Sequence, residues 1–170
     1  QKNSVKTFPK GFTVLLMYGE TMKPEKKLLK KFRLNCENKK DFEIISLELF
    51  SRAGFPDLMI RTLDKYKLCE LKYVAISKKR PTFSSFQILH ATINGSLDNV
   101  MHRNFLLIEY ENKPQPEKNK HQPEASHVPR IAGGVYLYDS NQIDKLINDP
   151  LKAKPLAVND WQLIKKIISA

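Results

Sequence analysis

The segment GFPDLMIRTLDKYKLCELKYV, residues 54–74, places three charged side chains in or against two apolar runs. Asp57 opens the first run, and Glu70 and Lys72 lie inside the second. Burying such charges costs free energy unless they pair with one another or hold a metal ion. Carboxylate oxygens are the ligands that Mg²⁺ and similar hard cations prefer, together with water and substrate phosphate. The segment therefore predicts a metal site carried by a hairpin.

The spacing in the second run indicates how such a site would work. Side chains two residues apart in a strand point to the same face, so Glu70 and Lys72 project together. The backbone carbonyl of Cys69 or Leu71 would add a further oxygen ligand. Lys72 beside the metal would orient an attacking water and offset the charge of a phosphoryl transition state. This chemistry calls for one or two Mg²⁺ or Mn²⁺ ions.

The hairpin must be held by the elements around it, which the periodicity of apolar residues predicts. Their order is helix, three strands, helix, strand, loop, strand and two short helices. This order predicts an α/β fold with a central mixed β-sheet flanked by helices. The apolar run at 11–18 fits either a strand or a buried helix. The predicted helices cover about 23–38, 82–94, 140–149 and 159–169, and the predicted strands 42–50, 58–63, 67–74, 103–111 and 133–138.

The length of 170 residues predicts a single domain. We place its core at about 23–138 and its C-terminal helices at 140–170. The proline-rich stretch at 112–131 has almost no apolar residues and predicts a mobile loop inside the domain.

The chain carries no pattern that predicts export or membrane insertion. No apolar run reaches the length of about 18 residues that a transmembrane helix needs, and the first residues lack the features of a secretory signal. Cys36 and Cys69 stand far apart and match no zinc-binding spacing. We therefore expect an intracellular protein, in the cytoplasm or nucleus, that is not secreted.

The net charge of +11 is concentrated in the half of the chain that contains the hairpin. Residues 1–80 hold 19 Lys and Arg against 9 Asp and Glu, whereas residues 81–170 hold 10 against 9. A one-sided basic field favours a polyanionic partner such as nucleic acid, although a generally lysine-rich composition would give the same total. The candidate phosphate-binding residues are Lys78, Lys79 and Arg80 after the hairpin, Arg52 before it, and Lys30 on the first helix.

The pattern PDLMI…CELK resembles the PD-(D/E)xK nuclease superfamily. Asp57 after Pro56 stands for the PD, and Glu70 and Lys72 stand for the ExK. With TFSSFQ added, the pattern is most similar to the branch that holds VRR-NUC, Holliday-junction-resolvase-like, homing and restriction endonucleases. The resemblance covers about residues 23–110. It implies a restriction-endonuclease-like core whose hairpin cleaves phosphodiester bonds with Mg²⁺ or Mn²⁺.

The resemblance also implies two further site residues. Many members carry an acidic residue on a preceding helix, and Glu25 is the best match because the helical period puts it on the apolar face. Gln87 matches a glutamine that follows the ExK strand, and its spacing from Ser84 also fits a helix capping box. Weaker matches for the acidic residue are Glu20, Glu43 and Glu48.

The function implied by the resemblance is metal-dependent cleavage of DNA, either double-stranded or branched, by a homodimer or higher symmetric oligomer. One alternative is the RNA endonuclease domain of segmented negative-strand virus polymerases, which is similar in size, charge and motif spacing. Many of those domains use a histidine ligand on an early helix, and residues 1–80 contain no histidine. A second alternative is a catalytically inactive nucleic-acid-binding module on the same fold.

Each candidate residue also has a purely structural interpretation. Asp57 fits a turn aspartate after proline, and Glu25 fits an acid at a helix N-terminus. Glu70 and Lys72 fit the solvated face of an edge strand. The remaining notable side chains are expected to be structural, with Cys69 and Trp161 in the core and His90 on the surface or half buried.

Overall fold

The computed structural model describes residues 22–38, 40–47, 55–63, 65–78, 80–96, 104–112 and 131–170. Several predictions fall outside these residues. They are the nature of the 11–18 run, the predicted mobile loop apart from its two ends, and the last part of the strand predicted at 42–50.

The described elements follow the predicted order, with additions near the C-terminal end. Two short 3₁₀ helices, Ser140–Gln142 and Pro150–Lys152, flank the third α-helix. The helices are α1 Pro24–Cys36, α2 Ser85–Ser96, α3 Ile143–Asn148 and α4 Trp161–Ser169, and the strands are β1 Phe42–Ser46, β2 Leu58–Thr62, β3 Tyr66–Val74, β4 Phe105–Tyr110, β5 Gly134–Asp139 and β6 Ala157–Val158.

The strands form one six-stranded sheet in the order β1-β2-β3-β4-β5-β6. All neighbouring pairs are antiparallel except β3 and β4, which are parallel. Parallel neighbours need a crossover connection, and α2 lies in that connection. The predicted α/β class with a central mixed sheet flanked by helices is therefore confirmed.

Helices cover both faces of the sheet. Successive strand residues point to opposite faces, and both faces carry apolar side chains that the helices bury. Cys69 and Leu71 of β3 join the core beneath α1 and α4, where Phe32 is fully buried. Val74 of β3 and Leu106 of β4 join the second core, to which α2 and α3 contribute. Glu70 and Lys72 alternate with Cys69 and Leu71, so they start from the α2 face of the sheet.

The differences from the predicted elements are small and have local causes. The strand β6 was not predicted, since two residues are too few to give a periodic pattern. Trp161 packs against the first core as expected, with its ring stacked 6.0 Å from that of Phe32. None of the helices in the described stretches has both the length and the apolar character needed to cross a lipid bilayer.

Gly134 closes the β5 edge against Asn159, and it offers a test of the sheet. Its φ is +142° and a Cβ there would lie 2.4 Å from Asn159 Oδ1, which accepts the Val135 N–H at 2.7 Å. We expect Gly134→Ala to lower the free energy of unfolding by about 1–3 kcal/mol, because it adds backbone strain and a clash. Urea denaturation followed by circular dichroism measures this change.

The matched variant adds Asn159→Gly to Gly134→Ala. Removing the Asn159 side chain relieves the clash, leaves the strained φ at residue 134 and also removes the hydrogen bond from Val135. Comparing the double variant with Asn159→Gly alone therefore isolates the cost of the backbone strain. An unchanged denaturation midpoint for Gly134→Ala would contradict this account of the β5 edge.

Candidate active site

The site lies at the end of the hairpin where β2 begins, at Leu58, and β3 continues past it. The pairing of these strands stops at Leu58 opposite Cys69, whereas β3 runs on to Val74. At the next position Asp57 replaces a backbone partner with its side chain, and its Oδ2 accepts the Leu71 N–H at 2.8 Å. The end of the hairpin thus fixes the Asp57 carboxylate against β3, as the motif spacing predicts.

Glu70 and Lys72 lie together on β3, as the two-residue period requires. Lys72 Nζ is 2.8 Å from Glu70 Oε1, and both side chains are largely buried. Lys72 also lies over the ring of Phe83, with Nζ 5.7 Å from the ring centroid, at a distance typical of a cation–π contact. The solvated edge-strand interpretation of this pair is therefore wrong.

Gln87 performs both of the roles that its position allows. Its Oε1 accepts the Ser84 N–H at 2.9 Å, and its own N–H donates to Ser84 Oγ at 3.2 Å, which completes the predicted capping box. Its side-chain Nε2 donates to Glu70 Oε1. The start of α2 is thereby attached to the same carboxylate oxygen that Lys72 contacts.

The protonation of Glu70 is perturbed by its surroundings. Burial, followed by the nearby Asp57 carboxylate, raises the pKa of Glu70 to about 7, while Lys72 opposes the shift. Lys72 and Gln87 therefore compensate only part of the cost of bringing two carboxylates together in a buried place. The site is short of positive charge, which is the condition that a bound cation would relieve.

A cavity of about 70 Å³ opens on the α1 side of these charges, and we call it the α1-side cavity. This volume exceeds what one water molecule needs. Glu25 lies at the edge of this cavity and is exposed, although the helical period predicts that it faces inward. Glu25 is the second residue of α1, and the first turn of this helix covers little of its side chain. The cavity is lined by Glu25, Leu29, Asp57, Leu58, Leu71 and Lys72.

The donor set fits one hard cation with a hydrated coordination shell. Asp57 and Glu25 supply carboxylates to this cavity, whereas Glu70, which interacts with Asp57, lines a cavity on the α2 side of the sheet. Within the described stretches no cluster of three or more His, Cys, Asp and Glu side chains is gathered closely enough to form a protein-only cage. Mg²⁺ and Mn²⁺ sites in phosphate chemistry typically rely on one or two carboxylates plus water and substrate, so a partial set suits them.

The carbonyl expected to complete this set is better supplied by Leu71 than by Cys69. Leu71 lines the α1-side cavity, while Cys69 is paired with Leu58 inside the ladder. The Cys69 side chain is fully buried in the core, and burial raises the pKa of its thiol far above the usual range. The prediction that the Cys69 side chain is a core residue is confirmed.

The predicted nucleic-acid-binding residues differ in their surroundings. Lys30 and Lys78 are exposed, whereas the Arg80 guanidinium donates to the Ile147 carbonyl at the end of α3 at 2.8 Å. Glu43, a weaker acidic candidate, pairs with Arg61 across β1 and β2. Outside the described residues lie Lys79, Arg52, Glu20 and Glu48.

Sequence reasoning missed a second cavity, of about 20 Å³, between α2 and the sheet, which we call the α2-side cavity. His90 is half buried and lines it together with Glu70 and Gln87. The signal was available, since Gln87 and His90 are three residues apart and share a helix face. The polar residues Asn104 and Ser140 complete the polar lining.

Comparisons with known proteins add no relative. No protein-family model matches the chain, and no curated protein matches it.

The raised pKa of Glu70 predicts how stability depends on pH in the metal-free protein. The pKa of Glu70 is about 7 in the folded protein, whereas the ordinary pKa of a glutamate side chain is 4.5. Folded Glu70 therefore keeps its proton at pH values where the unfolded chain has lost it. Stability is therefore lost as pH rises from about 5 through 7, and Glu70→Gln removes this loss. We expect the variant to gain on the order of 3 kcal/mol at most, relative to wild type, between pH 5 and pH 8.

Urea denaturation in EDTA at several pH values measures this difference. Glu43→Gln is the control in the same series. It shows how far the loss of a carboxylate elsewhere on the sheet changes the pH dependence of the free energy of unfolding. A difference between Glu70→Gln and wild type that stays constant from pH 5 to pH 8 would contradict the assignment.

Proposed function

We propose that the protein is a metal-dependent endonuclease that hydrolyses phosphodiester bonds in DNA, on a restriction-endonuclease-like core. The observation that carries the proposal is the meeting of Asp57 with Glu70 and Lys72. Glu70 and Lys72 lie in β3, Asp57 directly precedes β2, and a hydrogen bond from the Leu71 N–H holds Asp57 in place. The order α1, three antiparallel strands, α2 and a parallel strand supports the same core.

Asp57 and Glu70 would hold Mg²⁺ or Mn²⁺, with the Leu71 carbonyl as a further ligand and Glu25 at the outer side. A bound ion of this kind neutralises the phosphate and lowers the pKa of a bound water. The charge deficit around Glu70 and the open α1-side cavity both suit such an ion. The number of ions, one or two, stays a prediction.

The remaining site residues orient the reacting groups. Lys72 places an ammonium beside the carboxylates, where it can hold an attacking water and offset negative charge on the phosphate. Gln87 fixes the orientation of Glu70 by donating to its Oε1, and this hydrogen bond holds the start of α2 against β3. Glu25 faces the cavity from α1 and can accept a proton or a hydrogen bond from a water there.

Other parts of the chain support the proposed setting. Lys30 and Lys78 present exposed positive charge to a polyanion. Cys36 and Cys69 are free, buried thiols, which supports the proposal of a reducing, intracellular environment. Assembly into a homodimer or higher symmetric oligomer stays a prediction that light scattering would test.

Metal binding predicts a change in thermal stability that does not depend on activity. A ligand that binds only the folded state raises Tm, and saturating Mn²⁺ should raise it by several degrees. Asp57→Asn removes a proposed ligand and should lose most of that shift. Differential scanning fluorimetry with Mn²⁺ and with EDTA measures both, and an equal shift in wild type and Asp57→Asn would contradict the assigned site.

Cleavage assays with site variants test the activity. Asp57→Asn and Lys72→Met should each lower the rate by about 100-fold or more, because each removes charge that acts on the reacting phosphate. Glu25→Gln should cost about tenfold, since its side chain is exposed at the edge of the cavity. Glu43→Gln is the control with a carboxylate outside the site, and its rate should stay within about twofold of wild type.

The substrates in this assay are duplex DNA, a four-way junction, single-stranded DNA and a matching RNA, each with Mn²⁺ and with EDTA. Metal-dependent cleavage of RNA alone would replace the DNA proposal with an RNA endonuclease. If no substrate is cut and salt-sensitive binding persists, the protein is a binding module and the proposed activity is wrong.

A further inference from the structure

Two exposed aromatic side chains lie beside the site without a role in the core. Phe55 is 41% exposed and Phe86 is 59% exposed. The Phe55 ring meets the His90 ring edge to face, with centroids 5.2 Å apart. Phe86 and His90 are one helical turn apart on α2, so the three rings share one side of that helix. We call Phe55, Phe86 and His90 the aromatic rim.

The rim borders the catalytic charges directly. Phe55 is two residues before Asp57, and His90 lines the α2-side cavity with Glu70 and Gln87. Exposed aromatic surface next to a polar site is typical of a binding surface, because such rings gain free energy when a partner covers them. The rim therefore indicates that the ligand of this site has a flat apolar part.

A row of exposed lysines lies on the solvent side of α1. Lys23, Lys26, Lys27 and Lys30 lie at the start of α1, are exposed, and form no ion pair with any described residue; we call them the lysine row. Lysines one helical turn apart are about 5.4 Å apart along the axis. The next lysine, Lys31, pairs with Glu109 of β4 and is not part of the row. The helical period turns the row away from the buried face of α1, so it contributes positive charge outside the site.

We infer that this site takes a nucleic-acid strand with an unpaired base at the cleavage position, as in a single strand, a fork or a branch. Lys72 lies beside the scissile phosphate, the aromatic rim stacks on the unpaired base, and the lysine row attracts phosphates farther from the site. This inference rests on the proposed function and names its substrate class. A nucleotide has both features, a charged phosphate and a flat base, and the charged site and its aromatic rim match them.

The unpaired state follows from the chemistry of stacking. In an intact duplex both faces of a base are covered by its neighbours, so a ring on the protein has no face to contact. An unpaired base can leave the stack and lie on an aromatic side chain, and each such contact contributes strongly to affinity. The exposure of Phe55 and Phe86 therefore favours unpaired over fully paired substrates.

Binding in EDTA tests this inference without cleavage. Fluorescence anisotropy compares a labelled single strand, a splayed fork and a blunt duplex of the same sequence. Phe86→Ala and Phe55→Ala should each weaken binding of the strand and the fork by about fivefold or more, and should leave duplex binding within about twofold. Both side chains are largely exposed, so the fold should tolerate either change.

Control variants separate stacking from other effects. Tyr66→Ala removes an aromatic ring that is 58% exposed near the turn of the hairpin, at the end away from Asp57, and should change nothing. Lys27→Ala and Lys30→Ala should weaken all three ligands and lower the salt slope by about 0.7 to 0.9 per lysine. Phe86→Leu keeps apolar area without a ring, so it should resemble Phe86→Ala.

Each outcome decides one of the two proposals. Equal binding by wild type and the phenylalanine variants, or equal losses on strand and duplex, would overturn the unpaired-base inference even if Asp57→Asn abolishes cleavage. Ring-dependent binding of the strand with no cleavage by wild type would support the inference and overturn the endonuclease activity. If Phe86→Ala instead changes the oligomeric state in light scattering, the rim belongs to an interface between copies and the inference is wrong.

Discussion

The hydrogen bond from the Leu71 N–H to Asp57 Oδ2 decides where the charges of this site meet. It forms one step beyond the last paired residues of β2 and β3, where the backbone ladder has already ended. A side-chain carboxylate there takes the place of a backbone carbonyl. Because Glu70 and Lys72 flank Leu71, this one bond brings Asp57 against both of them.

The cost of this arrangement is concentrated on Glu70. Its carboxylate is buried, lies near another carboxylate, and shares one oxygen between Lys72 and Gln87. A protein selected for stability alone would gain by an apolar residue at this position. Unfavourable electrostatics of this kind cluster at functional sites, which is the main physical support for a cation there.

The sheet gives the site two unlike sides. The α1 side holds an open cavity with Glu25 at its edge. The α2 side holds Gln87 and His90, with Phe55 packed edge to face on the histidine. Asp57 directly precedes β2 and lies at an end of the sheet. A ligand at this end can therefore contact both sides at once.

The sequence by itself determined the order of the main elements, the shared face of Glu70 and Lys72, and the capping box between Ser84 and Gln87. These features depend on periods of two or three to four residues, which act within a few residues of the chain. The short β6 gave no such signal.

Only the tertiary structure decided which distant residues meet. The register of β2 against β3 places Asp57 at Leu71, and the packing of α2 brings His90 to Phe55. The position of α1 leaves Glu25 exposed at the edge of the cavity, whereas the helical period predicts an inward face. Contacts of this kind depend on strand register and on packing between elements far apart in the chain, and local periodicity carries no record of either.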